Sequence, residues 1–255
     1  MKRLCVIGAP VGHSLSPAIH RRLIADAGVD YTYGICPVKA EELSDFVARA
    51  RGGEYAGFNV TMPHKKTILP LLDELTEEAR QCGAVNTVRV ENGRAIGHNT
   101  DGRGFINSLR EADVDPAGKT VLLIGAGGAA EALTWALVDA GAKLTLCNRD
   151  LARAQRLAAR YRETATAIPF TADALRDGAK HAELIVNATP LGMAGQAQFP
   201  NFDFLDDTHG VVYDLVYHPE ETELLRQAKR KGLQTIGGKA LLWHQAVLAF
   251  AFFTE

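Results

Sequence analysis

Runs of apolar residues typical of buried parallel strands recur through the second half of the chain, and segments with helical periodicity alternate with them. Val121 to Ile124 is one such run, because four successive apolar residues suit a strand that is covered on both faces. Strands that alternate with helices predict a doubly wound parallel sheet. The sequence predicts further strands at Lys143–Cys147, Leu184–Asn187, Val211–Leu215 and Leu233–Ile236, and helices at Leu151–Tyr161 and Thr222–Lys231.

Shorter apolar segments occupy the first hundred residues and predict a separate α/β region. The run from Leu4 to Gly8 predicts a strand, and Ser16-Pro17 predicts the start of a helix with the serine as its N-cap. Asn92-Gly93, between two strand-like segments, predicts a two-residue hairpin turn. The polar, helix-breaking segment 113–118 indicates a domain boundary close to it.

Composition and charge favour small-molecule partners. The 255 residues are 47% hydrophobic and 23% charged, which is ordinary for a globular protein. Lysine and arginine number 28 against 30 acidic residues, and the net charge of −2 gives no basic surface for nucleic acid or an anionic membrane. The longest clean apolar run, Ala246–Phe253, is far shorter than the roughly 20 residues that span a bilayer.

The N-terminal segment and the cysteines indicate a cytoplasmic protein without a metal site. The apolar stretch Leu4 to Ile7 follows two basic residues, but Gly8 and Pro10 cut it short, unlike the apolar region of a signal peptide. The cysteines have neither C-x-x-C nor paired-histidine spacing, so neither a disulfide framework nor a zinc site is indicated. They are Cys5, Cys36, Cys82 and Cys147.

The residues after Val121–Ile124 form the motif Gly125-x-Gly127-x-x-Ala130, a dinucleotide fingerprint. Gly125 would make the tight turn, Gly127 would let the backbone approach a pyrophosphate, and Ala130 would let helix and strand pack closely. Free N–H groups at the start of the helix would then face the anion. Such a turn can also merely connect a strand to a helix, so the motif alone does not establish a nucleotide site.

The end of the following strand, where a dinucleotide ribose is usually recognised, carries Asn148-Arg149-Asp150-x-x-Arg153. Arginine would bind a 2′-phosphate and an acid would bind a 2′-hydroxyl, so the two arginines favour NADP and Asp150 allows NAD. Asp150 also stands where the next helix needs an N-cap, and we favour this interpretation.

Polar residues without an obvious structural role suggest a catalytic site in the first region. Lys65 falls in the first turn of a helix opened by Pro63, where the helix dipole disfavours a cation, although a solvated surface lysine is the simpler alternative. Asp101 precedes another helix and could be its N-cap. Ser14 has no capping duty, and hydroxyl groups on this loop would suit a polyol ligand.

Nine short motifs, taken in order, closely resemble the shikimate and quinate dehydrogenase family, and the resemblance covers nearly the whole chain. Any one motif is short, but their number and order make the resemblance highly specific. The motifs are Ser14-x-Ser16, Asn59-Val-Thr-x-Pro-x-Lys65, Gly83-Ala-x-Asn-Thr87, Asn99-Thr-Asp-Gly102, Gly125-Ala-Gly-Gly-Ala129, Asn148-Arg149, Asn187-Ala-Thr189, Asp214-x-x-Tyr-x-Pro219 and Gln245.

The resemblance implies a two-domain α/β fold, with an N-terminal α/β substrate domain and a Rossmann-like doubly wound NADP domain. The substrate domain would comprise residues 1–101 and 238–255, the NADP domain residues 102–237, and the active site would lie in the cleft. The implied activity is NADP-dependent, reversible reduction of 3-dehydroshikimate to shikimate, a step in chorismate and aromatic amino acid biosynthesis. The implied assembly is a monomer or a homodimer.

The resemblance also implies roles for individual residues. Lys65 and Asp101 resemble the catalytic pair, with lysine as the acid toward the ketone and aspartate orienting it. The implied substrate ligands are Ser14, Ser16, Asn59, Thr61, Asn86, Tyr217 and Gln245. The implied cofactor-binding residues are Gly125, Ala126, Gly127, Gly128, Ala129, Asn148, Arg149, Arg153, Thr189, Leu215 and Gly238.

Three departures from the family pattern keep alternatives open. Asp150 stands where NADP-specific members usually have threonine, Leu241 stands where methionine is usual, and the sequence stops at Glu255, before a final helical segment that most members carry. The nearest alternative is a paralogue that prefers quinate or another hydroxylated cyclohexane acid, or that uses NAD. A redox-inactive dinucleotide-binding regulator would predict loss of Lys65 or Asp101, and both are present.

Overall fold

The computed structural model describes residues 1–255 and divides into two compact units. The first unit comprises Met1–Gly104 and Leu242–Glu255, and the second comprises Phe105–Leu241. Segment 113–118 lies inside the second unit, where Val114 joins the hydrophobic core. The domain limits expected from the sequence, 1–101 with 238–255 and 102–237, stay a prediction about functional domains.

Both units are built from alternating strands and helices. The strands are β1 (Lys2–Gly8), β2 (Tyr31–Pro37), β3 (Gly57–Val60), β4 (Glu74–Leu75), β5 (Thr87–Glu91), β6 (Arg94–His98), β7 (Thr120–Ile124), β8 (Lys143–Asn148), β9 (Ala165–Pro169), β10 (Leu184–Asn187), β11 (Val211–Asp214) and β12 (Thr235–Gly237). The helices are α1 (Ser16–Ala27), α2 (Leu43–Arg49), α3 (His64–Thr67), α4 (Glu77–Cys82), α5 (Asp101–Glu111), α6 (Gly128–Asp139), α7 (Leu151–Ala158), α8 (Ala172–Lys180), α9 (Glu223–Arg230) and α10 (Gly238–Thr254).

The sheet of the first unit is mixed, with the strand order β2-β1-β3-β5-β6-β4. Strand β1 pairs in parallel with β2 and β3, whereas β5 pairs antiparallel with both β3 and β6. Asn92 (φ 52°) and Gly93 (φ 74°) connect β5 to β6, and two successive positive φ angles are what a type I′ hairpin turn requires. The predicted hairpin is therefore confirmed. Its antiparallel strands set the end of β3 and the start of β5 beside the start of α5.

The sheet of the second unit is entirely parallel, with the order β12-β11-β10-β7-β8-β9. Counted from β7, this order reads 6-5-4-1-2-3, which is the Rossmann arrangement. The prediction of an α/β protein with a doubly wound parallel sheet is confirmed. Strand β9 and helix α8 were not among the predicted elements, and β9 has a half-exposed face without a clean apolar run.

Helix α1 begins differently from the prediction. Leu15, already in a helical conformation (φ −83°, ψ −8°), occupies the N-cap position, and Ser16 is the first helical residue without a capping side-chain bond. The Ser14 Oγ atom instead accepts a hydrogen bond from the Ser16 backbone N–H at 3.2 Å. The interpretation of Ser16 as the N-cap is wrong, because its backbone does not leave the helical conformation that an N-cap must leave. Ser14, rather than Ser16, provides the side-chain acceptor at the start of α1.

Each sheet is covered by apolar side chains on both faces, which accounts for the two compact units. In the first unit, α2 buries Phe46 and Val47 against one face, and Phe253 of α10 packs near Leu4 on the other. In the second unit, Leu123 and Leu122 point into separate clusters on the two faces of the central strand β7. None of the helices combines the length and apolar character that crossing a membrane would require.

Candidate active site

Lys65 and Asp101 form an ion pair in the first unit. The lysine Nζ lies 2.5 Å from Asp101 Oδ2, and the two side chains are 17% and 7% exposed. Lys65 belongs to α3, the single helical turn after β3, and Asp101 is the first residue of α5. A buried charge is costly unless it is paired, so each member of this pair offsets the cost of burying the other. The alternative of a solvated surface lysine does not apply.

The backbone around Lys65 is fixed on both sides, so its side chain starts from a defined position. The Lys65 carbonyl accepts a hydrogen bond from the Val85 N–H at 2.7 Å. The neighbouring His64 is fully buried, and its Nε2 atom lies 2.7 Å from the Val38 carbonyl, to which it must donate. These two bonds attach the short helix α3 to the segments before β5 and after β2.

Asn86 orients the carboxylate of Asp101. The Asn86 Nδ2 group donates to Asp101 Oδ1 at 2.7 Å and to Thr100 Oγ1 at 2.9 Å, while Asn86 Oδ1 accepts from the Thr100 N–H at 2.9 Å. Asp101 therefore uses its carboxylate for Asn86 and Lys65, and its own backbone N–H donates to Asn99 Oδ1. No capping bond by Asp101 is seen. Both amide hydrogens of Asn86 are occupied, and its role as a substrate ligand stays a prediction.

Asn59 continues the same hydrogen-bond network. Its Nδ2 group donates to Thr87 Oγ1 at 3.0 Å and to the Asn86 carbonyl at 3.2 Å, and the residue is 6% exposed. The Thr87 hydroxyl donates in turn to Asn86 Oδ1 at 2.9 Å. No role was predicted for Thr87 and Thr100, because their contacts with the Asn86 side chain appear only when the start of β5 and the segment after β6 come together.

The other proposed ligands of the first unit lie on neighbouring segments. Ser14 and Thr61 are half-buried in the loops that follow β1 and β3, at the carboxyl ends of two adjacent parallel strands. Gln245 is half-buried on α10, and its Nε2 group donates to the Leu242 carbonyl at 2.8 Å. A Cβ atom at Gly104 would lie 2.8 Å from the Gln245 nitrogen, so glycine there allows α5 and α10 to touch. Gln245 thus approaches the helix that Asp101 begins.

In the second unit, the glycine turn has the geometry of a dinucleotide cradle. Gly125 has φ +126°, and a Cβ atom there would lie 2.9 Å from the Ala188 carbonyl oxygen. A Cβ atom at Gly127 would meet nothing within 4 Å, so the backbone at the start of α6 is open to a ligand. Ala130 is fully buried where α6 packs on the sheet. Ala126 is buried, and Gly128 and Ala129 form the half-buried first turn of α6.

The end of β8 leaves two positive charges available. Asp150 caps α7, because its Oδ1 atom accepts a hydrogen bond from the Arg153 N–H at 3.3 Å, and the preferred interpretation of this residue is confirmed. Asn148 stabilises the same turn, because its Nδ2 group donates to the Asp150 carbonyl. Arg149 and Arg153 are exposed and form no ion pair. Two free guanidinium groups beside the cradle suit a phosphate.

A buried carboxylate organises the loops after β10 and β11. Asp214 Oδ1 accepts from Asn187 Nδ2 at 2.9 Å, and Asp214 Oδ2 accepts from the Thr222 hydroxyl at 2.6 Å. Burial raises the pKa of Asp214 to about 6, although these hydrogen bonds lower it. Asn187 Oδ1 accepts from both the N–H and the hydroxyl of Thr189. No role was predicted for Asp214 or Asn187, although both are polar residues at the ends of strands, a pattern typical of functional sites in such sheets.

The remaining cofactor and substrate candidates of the second unit flank this network. Gly238 packs directly on the backbone of Leu215, where any Cβ atom would collide with the Leu215 carbonyl. Tyr217 is half-buried in the segment after β11, and burial raises the pKa of its phenol group. These positions are consistent with the roles implied by the resemblance, which stay predictions.

Two family models match the chain. The model of the shikimate dehydrogenase substrate binding domain matches residues 6–88, and the model described as shikimate / quinate 5-dehydrogenase matches residues 109–192. Each match falls within one of the two compact units. The first unit is thus an α/β substrate domain and the second a Rossmann-like domain, as the sequence predicted.

Similar proteins cover almost the whole chain. A shikimate dehydrogenase (NADP(+)) of Carboxydothermus hydrogenoformans is 40% identical over 98% of this chain and 90% of its own length. The structure of shikimate 5-dehydrogenase from Thermus thermophilus, in complex with NADP(H) and shikimate, has a TM-score of 0.90 at 37% identity and covers 100% of this chain and 94% of its own. Quinate dehydrogenase from Corynebacterium glutamicum, in complex with NAD, has a TM-score of 0.88 at 35% identity, covering 99% and 93%. This chain belongs to the shikimate dehydrogenase family.

Proposed function

We propose that this protein is an NADP-dependent shikimate dehydrogenase that interconverts 3-dehydroshikimate and shikimate. The observation that carries the proposal is the buried Lys65–Asp101 pair, held by Asn86 within the substrate domain. Reduction of a ketone to an alcohol requires a proton donor at the carbonyl oxygen, and a charged lysine held at a fixed place meets that need. The activity for which the relatives are named, shikimate dehydrogenase (NADP(+)), supports the same assignment.

Lys65 and Asp101 have different roles in the proton transfer. When bound, NADP supplies the nicotinamide carbon that gives or accepts the hydride. In the reductive direction Lys65 Nζ donates its proton to the C3 oxygen and stabilises the negative charge that develops there. Asp101 orients the ammonium group through its 2.5 Å contact. In the oxidative direction the same step runs in reverse, and the neutral Lys65 amine accepts the proton of the C3 hydroxyl as the hydride leaves C3.

Substrate recognition relies on hydroxyl and amide groups. Ser14, Ser16, Thr61 and Gln245 in the first unit, and Tyr217 in the second, offer donors and acceptors suited to a carboxylate and several hydroxyls. Asn59 and Asn86 are nearly buried and already bonded to protein groups, which favours a supporting role for their side chains in addition to any contact with substrate.

The second unit fits an NADP molecule. The open backbone at Gly127 and the N–H groups at the start of α6 suit a pyrophosphate, and the unpaired Arg149 and Arg153 suit a 2′-phosphate. Because the Asp150 carboxylate is used as a helix cap, it gives no independent support for NAD. We therefore favour NADP over NAD.

A four-way assay tests the proposal. Absorbance at 340 nm is followed in four mixtures of purified protein, each with shikimate or quinate and with NADP⁺ or NAD⁺. Fast reduction with shikimate and NADP⁺ alone is the expected result. A preference for quinate or NAD⁺ would instead identify the protein as a paralogue with that preference. No rise in absorbance in any of the four mixtures would contradict a dehydrogenase of this substrate class.

Gly127→Ala tests the cofactor cradle. The residue has φ −92°, which alanine adopts easily, and its Cβ would meet no atom within 4 Å, so the melting temperature should not change. The added methyl would occupy the space into which the pyrophosphate must come, and KM for NADP⁺ should rise at least about tenfold. KM for shikimate should stay within about twofold of the wild-type value, because substrate ligands are elsewhere.

Gly52→Ala is the matched control, since a Cβ atom there also meets nothing within 4 Å. It should leave both KM values unchanged. An unaltered KM for NADP⁺ in Gly127→Ala would show that the turn only connects β7 to α6.

Location and assembly remain predictions. The expected location is the cytoplasm. A monomer or homodimer is the expected state in solution.

A further inference from the structure

Tyr33 is a buried tyrosine whose hydroxyl joins the hydrogen-bond network of Asn59, Asn86 and Asp101. It lies on β2, is 4% exposed, and donates from Oη to Asn59 Oδ1 at 2.6 Å. Burial strongly raises the pKa of Tyr33, and the nearby Ser16 side chain opposes that rise. Tyr33 is therefore bonded to Asn59 and lies close to Ser16, two residues that the family resemblance marks as substrate ligands, although Tyr33 itself belongs to none of the family motifs.

The hydrogen bonds that begin at Tyr33 run in one direction, toward Asp101. Asn59 Nδ2 donates to Thr87 Oγ1 at 3.0 Å, and the Thr87 hydroxyl donates to Asn86 Oδ1 at 2.9 Å. Asn86 Nδ2 then donates to Asp101 Oδ1 at 2.7 Å. A chain in which every donor points the same way is strengthened by mutual polarisation, and here it ends on a carboxylate that carries the charge.

Backbone groups set the orientation of both amides in this chain. Asn59 Nδ2 also donates to the Asn86 carbonyl, which can only accept, and Asn86 Oδ1 also accepts from the Thr100 N–H, which can only donate. Neither amide can be reversed without losing a backbone partner. Asn59 Oδ1 is thereby left with the Tyr33 hydroxyl as its donor.

The ring of Tyr33 is held in place by His20. The two rings are stacked with centroids 4.2 Å apart and planes inclined by 2°, and His20 is fully buried. Burial lowers the pKa of His20 to about 3, so the imidazole is neutral at working pH and packs as an aromatic ring. The position of the Tyr33 hydroxyl follows from this stack.

We propose that Tyr33 is a positioning residue of the dehydrogenase, which sets Asn59 and, through Thr87 and Asn86, the carboxylate of Asp101. The inference rests on the proposed function, because it assigns Tyr33 to the same reaction. Without the hydroxyl, the buried Asn59 Oδ1 loses its donor, and the side chain moves away from Thr87 to find another. Asp101 is then held less firmly.

Tyr33→Phe tests the proposal, because it removes only the hydroxyl and keeps the ring that stacks on His20. We expect kcat/KM for shikimate to fall about tenfold, because a less firmly positioned Asp101 leaves Lys65 misplaced relative to the reacting oxygen. KM for NADP⁺ should change by less than about twofold. Thr87→Val, which breaks the same chain one bond later at nearly equal side-chain volume, should show the same kinetic pattern.

Tyr31→Phe is the matched control on the same strand. Its hydroxyl donates to the Phe253 carbonyl at 3.2 Å, outside the chain that leads to Asp101. This variant loses one hydrogen bond as well, but it should keep the wild-type kcat/KM for shikimate. Melting temperatures of all three variants separate a loss of stability from a loss of positioning.

The outcomes distinguish the inference from the function on which it rests. Equal kinetics for Tyr33→Phe and Tyr31→Phe, or equal rises in both KM values for Tyr33→Phe, would overturn the role of Tyr33 while leaving an active wild-type enzyme. A wild-type protein that does not oxidise shikimate would overturn the proposed function, and this inference with it.

Discussion

Replacing Lys65 with methionine is expected to lower kcat for shikimate oxidation at least about 100-fold, the minimum contribution of a positioned acid or base. Methionine keeps much of the side-chain length but cannot donate a proton or stabilise the alkoxide. The loss should appear in kcat rather than in KM, because the interaction of the ammonium with the developing charge is made in the transition state. Steady-state kinetics in both directions give the measurement.

Lys66→Met is the control, because Lys66 is the next residue of the same helical turn and its side chain is exposed. It should retain kcat within about twofold. The melting temperature of Lys65→Met should be followed, since Asp101 is left buried without its cation. If a folded Lys65→Met protein lost less than about tenfold in kcat, Lys65 could not be the proton donor.

Replacing both Arg149 and Arg153 with alanine is expected to lower the preference for NADP⁺ over NAD⁺ at least about 100-fold. A charge-assisted hydrogen bond to a phosphate contributes about 1.5–3 kcal/mol, and a tenfold change needs about 1.4 kcal/mol. Neither arginine has an acidic partner in the protein, so alanine leaves no carboxylate unpaired and the fold should not be affected. The ratio of kcat/KM for the two cofactors gives the measurement.

Arg156→Ala is the control, since Arg156 is an exposed arginine in the last turn of the same helix, away from the cap. It should keep the wild-type cofactor ratio. The double variant should retain the wild-type kcat/KM with NAD⁺, because NAD⁺ has no 2′-phosphate for the two arginines to bind. If kcat/KM fell by the same factor with both cofactors, the two arginines would not be the residues that recognise the 2′-phosphate.

The local features of this protein could be determined from the sequence alone. The strand and turn at Val121–Gly127, the hairpin at Asn92-Gly93 and the cap at Asp150 all appear where they were predicted. Each depends on residues within a few positions of one another, so backbone geometry and side-chain chemistry near that point are enough. The parallel sheet of the second unit follows from the regular alternation of strands and helices, which leaves few topologies open.

The start of α1 shows where local reasoning fails. Ser16-Pro17 has the composition of an N-cap and first helical residue, yet the chain is already helical at Leu15, and Ser14 supplies the bond expected of Ser16. Two serines two positions apart are both able to accept from a nearby N–H group. The surrounding loop, which the sequence does not specify in detail, decides between them.

The sequence alone named Lys65, Asp101, Asn59 and Asn86 as functional, but only the tertiary structure decided how they are connected. Lys65 and Asp101 are 36 residues apart, and Tyr33 and Asn59 are 26 apart. The Tyr33 side chain on β2 reaches across β1 to Asn59 on β3. The order β3-β5-β6, with β5 antiparallel to both neighbours, brings Lys65 after β3 and Asp101 after β6 to the same end of the sheet. A sequence pattern records which donors and acceptors are present, whereas strand order and register determine which of them can meet at hydrogen-bonding distance.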